Sequence, residues 1–268
     1  MKTALTIAGS DSGGGAGIQA DLKTFSAHGV YGMSVITAVT AQNTMEVRSV
    51  QPIDSAMITD QIAAIFEDIH VDAVKIGMLG SKETVETVAN SLKLFKTATV
   101  VLDPVMISKS GHHLLDEGAI SSLRTDLLPL ATLVTPNIPE AEVLTGFSIR
   151  TKQDFYKACT AILELGPQAV LLKGGHAAGN PNDLLYDGQE FTWFKGERIH
   201  TKNTHGTGCT LSSAITSNLA KGLPLGMSIE QAKVYISEAI RNSFELGKGH
   251  GPVHHFYQFH KENWSDLT

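Results

Sequence analysis

The chain has 268 residues, and 42% of them are hydrophobic without counting its 25 glycines, a composition that excludes a disordered chain, a coiled coil and a collagen. Only 18% of the residues are charged, so we expect much of the chain to be buried. The formal charge of −6 argues against nucleic acid or an anionic membrane as a main partner, because neither attracts an acidic protein.

Apolar runs typical of strands alternate with helical periods along the chain. The predicted strands cover residues 5–8, 32–41, 73–77, 100–103, 133–135 and 169–173. The predicted helices cover residues 18–28, 55–68, 82–95, 114–128, 139–144, 154–165 and 207–246, the last of them broken near residues 222–224. This alternation predicts an α/β fold with a mainly parallel sheet and helices on both of its faces.

One segment departs from that alternation. Residues 184–186 and 191–194 read as strands on either side of Asp187-Gly188, which predicts a small antiparallel hairpin with a tight turn. No linker, repeat or low-complexity stretch divides the chain. We therefore expect residues 1–268 to form a single domain.

The cysteine count and the apolar runs indicate the compartment. Cys159 and Cys209 are too few for a disulfide framework. No stretch approaches the roughly 18 apolar residues of a membrane span, and the apolar run near the N-terminus is too short for a signal peptide. We expect a soluble cytoplasmic protein.

A glycine-rich loop follows the first predicted strand, where open α/β sheets bind ligands. Residues 9–17 read Gly-Ser-Asp-Ser-Gly-Gly-Gly-Ala-Gly, which indicates a backbone that approaches a ligand closely. The spacing is not G-x-G-x-x-G, and no acidic residue ends the second strand, so the dinucleotide-binding pattern is absent. A plain connecting loop is the alternative.

The best phosphate-binding candidate is the segment Asn-Thr-His-Gly-Thr-Gly-Cys-Thr at residues 203–210, which opens a helix. Two interleaved glycines let the turn present its N–H groups, and the positive end of the helix adds to them, so we predict an anion hole at Gly206, Thr207, Gly208 and Cys209. Ordinary capping by Thr204 or Thr207 is the alternative. Placement in the first helical turn predicts a lowered pKa for the Cys209 thiol, whereas Cys159 is predicted to be a core residue.

Charged side chains follow three other predicted strands. Asn137 and Glu140 are spaced to hold Mg²⁺, directly or through water, although the same spacing also suits a capping box. Asp103 is a further carboxylate at a strand end. Lys173 places a cation that suits a polyphosphate, with a solvated lysine as the alternative.

These segments resemble the hydroxymethylpyrimidine/phosphomethylpyrimidine kinases of thiamin biosynthesis, in the ribokinase-like superfamily. The resemblance runs from residue 5 to residue 255 and is carried by residues 5–11, 13–24, 41–44, 75–79, 102–106, 135–137, 173–176 and 203–209. It implies a ribokinase-like fold, a homodimer, and ATP with Mg²⁺ as cofactors. The implied activity is phosphorylation of 4-amino-5-hydroxymethyl-2-methylpyrimidine to its monophosphate and then to the pyrophosphate.

The resemblance also implies roles for single residues. Sugar kinases of the superfamily have an aspartate base after the G-x-G turn, and Cys209 occupies that position here, so we expect its thiolate to take the hydroxyl proton. Gln42, whose amide both donates and accepts, is placed against the pyrimidine. Around the ring the resemblance places Gly9, Asp11, Ala16, Met78 and Val105. It assigns Mg²⁺ and phosphates to Asp103, Asn137 and Glu140, phosphates to Lys173 and Thr204, and the nucleotide, as the only candidate for adenine, to Lys233.

Three other functions remain open at this point. A pyridoxal or pyridoxine kinase uses the same machinery, but similar pyridoxal kinases tend to carry methionine at the position of Gln42. A non-catalytic sensor of the precursor has no need of the charged residues at the strand ends. A cysteine hydrolase requires His205 as the base for Cys209.

Overall fold

The structure is a computed structural model that describes residues 1–97, 99–106, 117–175 and 180–259. Its strands are β1 Thr3–Asp11, β2 Tyr31–Gln42, β3 Val47–Pro52, β4 Ala73–Ile76, β5 Val100–Leu102, β6 Leu133–Val134, β7 Val170–Leu172, β8 Asp183–Tyr186 and β9 Phe191–Phe194. Its α-helices are α1 Gly17–Ala27, α2 Ser55–Phe66, α3 Lys82–Leu94, α4 Glu117–Ser122, α5 Ile138–Thr145, α6 Lys152–Leu163, α7 Thr207–Ala220 and α8 Leu225–Arg241.

The strands form one sheet in the order β3-β2-β1-β4-β5-β6-β7-β8-β9. The strands from β2 to β7 in this order are parallel. β3 is antiparallel to β2 at one edge, and β8 and β9 form an antiparallel hairpin at the other. The predicted α/β fold with a mainly parallel sheet and a small hairpin is confirmed.

Hydrophobic clusters cover both faces of the sheet. In β5, Val100 and Leu102 belong to one cluster, which includes residues of α2, α3 and α6, whereas Val101 belongs to a second cluster with residues of α7 and α8. Successive side chains of a strand point to opposite faces, so a strand buried on both faces reads as a continuous apolar run. Within the described part of the chain, no helix combines the length and apolarity that crossing a membrane requires.

The structure adds one strand to the prediction and gives the detail of two predicted elements. β3 was not predicted, because this edge strand is almost wholly exposed and carries no apolar alternation. The segment predicted to be mostly helical over 114–128 is described from residue 117 and is helical there: α4 leads into a π-helical turn at Leu123–Leu127 and a 3-10 turn at Leu128–Leu130. The predicted hairpin is confirmed, with a four-residue connection at 187–190 in which Asp187 Oδ1 accepts from the backbone N–H groups of Gln189 and Glu190.

Candidate active site

The carboxyl ends of the parallel strands surround one cavity of about 930 Å³. The N-terminus of α7 forms another part of its wall. Every site residue predicted from the sequence lines this cavity, and they are Gly9, Asp11, Ala16, Gln42, Met78, Asp103, Val105, Asn137, Glu140, Lys173, Thr204, Gly206, Thr207, Gly208, Cys209 and Lys233. The fold therefore brings together side chains from both halves of the sequence.

The segment predicted as an anion hole begins α7. Gly206 precedes the helix with φ 78°, a left-handed conformation that favours glycine, and a Cβ there would lie 1.8 Å from the carbonyl oxygen of Gly15. Among the described residues no side chain caps α7, so the alternative of capping by Thr204 or Thr207 is wrong. The first-turn N–H groups of α7 remain without a side-chain acceptor, as an anion hole requires.

Asp103, Glu140 and Lys173 form a charged cluster beside that helix end. Lys173 Nζ lies 2.7 Å from Asp103 Oδ1, which also accepts from Thr135 Oγ1 at 3.1 Å. Burial opposes the charge of Asp103, but the ammonium groups of Lys173 and Lys75 outweigh it and hold the pKa of Asp103 below its usual value. Lys173 is largely buried, so the alternative of a solvated lysine is wrong.

Gly208 connects the charged cluster to the anion hole. A Cβ at Gly208 would lie 3.5 Å from Asp103 Oδ2 and 3.6 Å from Lys173 Nζ, so the backbone of the first turn of α7 lies directly against this ion pair. Opposite charges and backbone N–H groups therefore converge on one region of the cavity wall.

Asn137 and Glu140 form the capping box of α5. Asn137 Oδ1 accepts from the Glu140 N–H at 3.0 Å, and Glu140 Oε2 accepts from the Asn137 N–H at 2.8 Å. Glu140 is also a member of the charged cluster. Burial raises the pKa of its carboxyl group to about 7; Lys173 opposes this rise and the negative Asp103 adds to it. Glu140 is thus a cap whose charge changes near neutral pH.

The pKa of the Cys209 thiol differs from the predicted one. Burial raises the pKa of the thiol to about 11; the positive charge of Lys75 opposes the rise, and the carboxylates of Asp21 and Asp103 add to it. The predicted lowered pKa is wrong, because burial and two carboxylates outweigh the helix end. Cys159 is buried in the core as predicted.

Sequence reasoning missed a buried ion pair beneath the cavity. Lys75 Nζ lies 2.9 Å from Asp21 Oδ2, and both side chains are fully buried. Asp21 also accepts from the hydroxyl groups of Thr6 at 2.6 Å and Ser213 at 2.7 Å, which joins β1, β4, α1 and α7. The available signal was the lysine inside the apolar strand β4. Because an unpaired buried charge is strongly unfavourable, a lysine there indicates a buried carboxylate partner.

Asp11, Gln42 and His205 form a second group, the glycine-loop cluster. Asp11 accepts from the backbone N–H groups of Gly13, Gly15 and Ala16 at 2.8, 3.1 and 2.8 Å, and its Oδ2 lies 2.8 Å from His205 Nε2. Burial opposes the charge of Asp11, but His205 and these N–H groups hold its pKa below the usual value. Asp11 therefore fixes the glycine-rich loop and ties it to the turn before α7.

Lys233 lines the cavity with its ammonium group already paired. Lys233 Nζ lies 2.5 Å from Asp183 Oδ2, and Asp183 Oδ1 accepts from the Gly174 N–H at 2.9 Å. This pairing ties α8 to the end of β7. A contact of Lys233 with adenine stays a prediction.

Comparisons with known proteins show which proteins the chain is similar to. A family model described as phosphomethylpyrimidine kinase matches residues 11–254. The chain is 54% identical over 94% of its length to the thiamine biosynthesis bifunctional protein ThiED of Geobacter sulfurreducens, and it spans 51% of that relative. It is 50% identical to a hydroxymethylpyrimidine/phosphomethylpyrimidine kinase of Rhizobium meliloti, over 97% of this chain and 98% of the relative. The solved ADP complex of Bacillus subtilis pyridoxal kinase matches with a TM-score of 0.88 and 42% identity, over 95% of this chain and 97% of that one.

Proposed function

The chain belongs to the phosphomethylpyrimidine kinase family, and on that premise we propose that it phosphorylates 4-amino-5-hydroxymethyl-2-methylpyrimidine with ATP, first to the monophosphate and then to the pyrophosphate. One observation carries the proposal: the anion hole and the charged cluster share a single cavity with Gln42. The cavity can therefore hold a phosphoryl donor at the anion hole and a polar ring next to it at Gln42. The chain is a kinase, as its relatives are.

Phosphoryl transfer depends mainly on alignment and on stabilising charge. We propose that the N–H groups of Gly206 to Cys209 hold the transferring phosphoryl group, with the Lys173 ammonium beside them. Both are only partly exposed, which strengthens their electrostatic effect. We assign the polyphosphate to this part of the cavity.

Mg²⁺ fits two residues of the charged cluster. Mg²⁺ in kinases is held by one or two carboxylates together with water and phosphate oxygens, and Asp103 and Glu140 both line the cavity. Asn137 fits less well, because its side-chain oxygen already accepts the Glu140 N–H. When bound, the ion neutralises the phosphates, and we propose Asp103 and Glu140 as its protein ligands.

We assign the hydroxyl proton of the first step to Cys209. Since the free thiol has a pKa of about 11, it is protonated at neutral pH and must lose its proton before it acts as a base. The second step has a different nucleophile. A phosphate monoester has a second pKa of about 6 and needs no base at pH 7.

The test is a coupled assay of ADP release with hydroxymethylpyrimidine, its monophosphate and pyridoxal as rival substrates. We expect kcat/KM to be highest for the pyrimidines, because Gln42 offers a donor and an acceptor to an aminopyrimidine edge. A higher kcat/KM for pyridoxal would show instead the activity named for the Bacillus subtilis relative. Tight pyrimidine binding without ADP release would show the non-catalytic sensor.

We also propose that the protein is a cytoplasmic homodimer. Three apolar side chains on β2 and β3 are exposed in the single chain and are candidate contacts with a partner, namely Tyr31, Val39 and Val50. Sedimentation equilibrium of the wild type and of Val50→Lys tests it. We expect twice the chain mass for the wild type and a shift toward the monomer for the variant.

A further inference from the structure

The side chain of Lys75 extends along strand β4 toward the cavity. A Cβ at Gly77, two residues further along the chain, would lie 2.7 Å from Lys75 Nζ, so the side chain runs toward the carboxyl end of the strand. Residues two apart in a strand point to the same face, and Gly77 has no side chain to occupy that place. Lys75 lines the cavity although its side chain is fully buried. Its charge therefore lies at the cavity wall.

The contact between α1 and α7 places the partner of Lys75 one helical turn from Cys209. Ser213 Oγ donates to Asp21 Oδ1 at 2.7 Å, and the Gly17 N–H interacts with the Cys209 thiol. Gly17 lies four residues before Asp21 on α1. Cys209 lies four residues before Ser213 on α7, and residues four apart share one face of a helix. The thiol and the buried ion pair are therefore neighbouring levels of the same helix contact.

Four charged groups act on the Cys209 thiol. Lys75 and Lys173 favour the thiolate, whereas Asp21 and Asp103 oppose it. In the proposed function Lys173 and Asp103 bind phosphates and Mg²⁺, so their charges are shared with the ligands. Burial opposes the charge of Lys75, but the negative groups around it outweigh burial and raise its pKa. Lys75 is therefore positively charged when Cys209 loses its proton.

The Asp21 carboxylate offsets the charge of Lys75 only in part, because it is shared. Asp21 accepts from the hydroxyl groups of Thr6 and Ser213 as well as from Lys75, and the positive ends of these hydroxyl dipoles reduce its negative field. Among the described residues, the ammonium group of Lys75 donates a hydrogen bond to Asp21 alone. Lys75 accordingly has the larger effect of the two on the Cys209 thiol, and this effect favours the thiolate.

We propose that Lys75 is a positioning residue of the first phosphorylation step, whose buried ammonium group, held by Asp21, stabilises the negative charge of Cys209 as the base. This inference rests on the proposed function, in which Cys209 takes the hydroxyl proton. The nucleophile of the second step is already ionised and needs no base. Lys75 should therefore matter much less in the second step.

The experiment introduces Lys75→Met into the wild type and into Cys209→Ala, and measures kcat/KM with hydroxymethylpyrimidine and with its monophosphate supplied separately. In the wild type we expect Lys75→Met to slow the first step about ten-fold, a modest effect for a charge in a buried site, and the second step much less. In Cys209→Ala it should not slow the first step further, because a residue that acts through a missing group has lost its effect.

Two further variants keep the test decisive. Lys75→Met leaves the buried Asp21 carboxylate without its ammonium partner, which destabilises the fold. The double variant Lys75→Met with Asp21→Asn carries neither charge and takes over the test if Lys75→Met does not fold. We expect it to slow the first step in the same direction but by less, because Asp21 opposes Lys75.

Lys173→Met is the matched control, because Lys173 is also a largely buried lysine paired with a carboxylate at the same cavity. The proposed function places Lys173 on the phosphates, which take part in both steps. Lys173→Met should therefore slow both steps, and it should still slow them in the Cys209→Ala background.

Equal losses in the two steps for Lys75→Met, or the same loss with and without Cys209, would show that Lys75 only supports the fold and would overturn the inference. The Cys209→Ala variant alone reports on the proposed function. If it slows both steps equally, the base assignment fails and this inference fails with it. If it slows the first step selectively while Lys75→Met acts as strongly in its presence, the base assignment stands and only the role of Lys75 is lost.

Discussion

In the glycine-loop cluster the carboxylate of Asp11 accepts from three backbone N–H groups and from His205, whereas in the charged cluster Asp103 and Glu140 share the ammonium group of Lys173, and Lys75 adds its charge on Asp103. The first arrangement holds the pKa of Asp11 below its usual value, so its carboxylate is ionised at neutral pH, and it leaves the neutral amide of Gln42 on the cavity wall. The second leaves Glu140 with a pKa of about 7, so its charge responds to what binds. The glycine-loop cluster therefore suits recognition of a hydrogen-bond pattern, and the charged cluster suits binding of phosphate and metal.

The largest expected effect separates the two phosphorylation steps. If Cys209 is the base, Cys209→Ala should slow phosphorylation of hydroxymethylpyrimidine by roughly 10²–10⁴-fold, the usual contribution of a general base. Phosphorylation of the monophosphate should fall much less, because the backbone N–H groups of the anion hole survive the substitution. Both rates are measured with each substrate supplied separately. Equal losses in the two reactions would falsify the base assignment.

The same assignment predicts a pH dependence. Since the base must be deprotonated and its free pKa is about 11, kcat/KM of the first step should rise about ten-fold per pH unit between pH 7 and pH 9. The second step has a nucleophile that is already ionised above pH 7 and should rise less. The ratio of the two rates, measured with both substrates subsaturating, is the readout. A ratio independent of pH would contradict the thiolate.

A change at the glycine-loop cluster should alter the choice of ring and leave the phosphate chemistry alone. Gln42→Met replaces a donor and acceptor with a thioether, so the loss for the pyrimidine relative to pyridoxal should be on the order of 1–3 kcal/mol, or roughly 5- to 150-fold in kcat/KM. Measuring kcat/KM for both substrates decides it. An unchanged ratio would show that other residues select the ring.

Much of the fold and of the two clusters could be predicted from the sequence, and the features that could not be predicted have a common physical cause. Alternating apolar runs located the parallel strands, and the glycines around residues 9–17 and 206–208 located both loops, because these signals are local. The pKa of Cys209 depends on burial and on charges at Lys75, Asp21 and Asp103, which the chain brings in from distant positions. The contact of Gln42 with His205 joins residues 163 positions apart and has no local signature.

In the charged cluster, Mg²⁺ affinity should depend on pH. If Glu140 is a ligand, its proton competes with the metal, and with a pKa of about 7 the Mg²⁺ concentration for half-maximal activity should be about ten-fold higher at pH 6 than at pH 8. Glu140→Gln has no such proton, so its higher midpoint should vary less with pH. A wild-type midpoint that follows the variant across this range would remove Glu140 from the metal site.

The smallest effect separates the two roles of Glu140 in stability. Glu140→Ala removes both the charge and the acceptor for the Asn137 N–H, and losing such a cap costs about 1 kcal/mol. Glu140→Gln removes the charge and retains an acceptor, because glutamine also serves in capping boxes. Denaturant titration at pH 5, where the wild-type carboxyl is largely protonated, measures the contribution of the cap to the free energy of unfolding. We expect Glu140→Ala to be less stable there and Glu140→Gln to resemble the wild type.

The same titration at higher pH then measures the effect of the Glu140 charge on the free energy of unfolding. The folded-state pKa of Glu140 is raised above its ordinary value of 4.5, so the wild type binds more protons when folded than when unfolded between about pH 4.5 and pH 7. Its stability relative to Glu140→Gln should therefore decrease as the pH rises through that window, and level off above it. Parallel pH profiles for the two proteins would mean that the buried carboxyl group ionises without penalty. Glu140 would then be a helix cap with an ordinary charge, and the contrast with Asp11 would be lost.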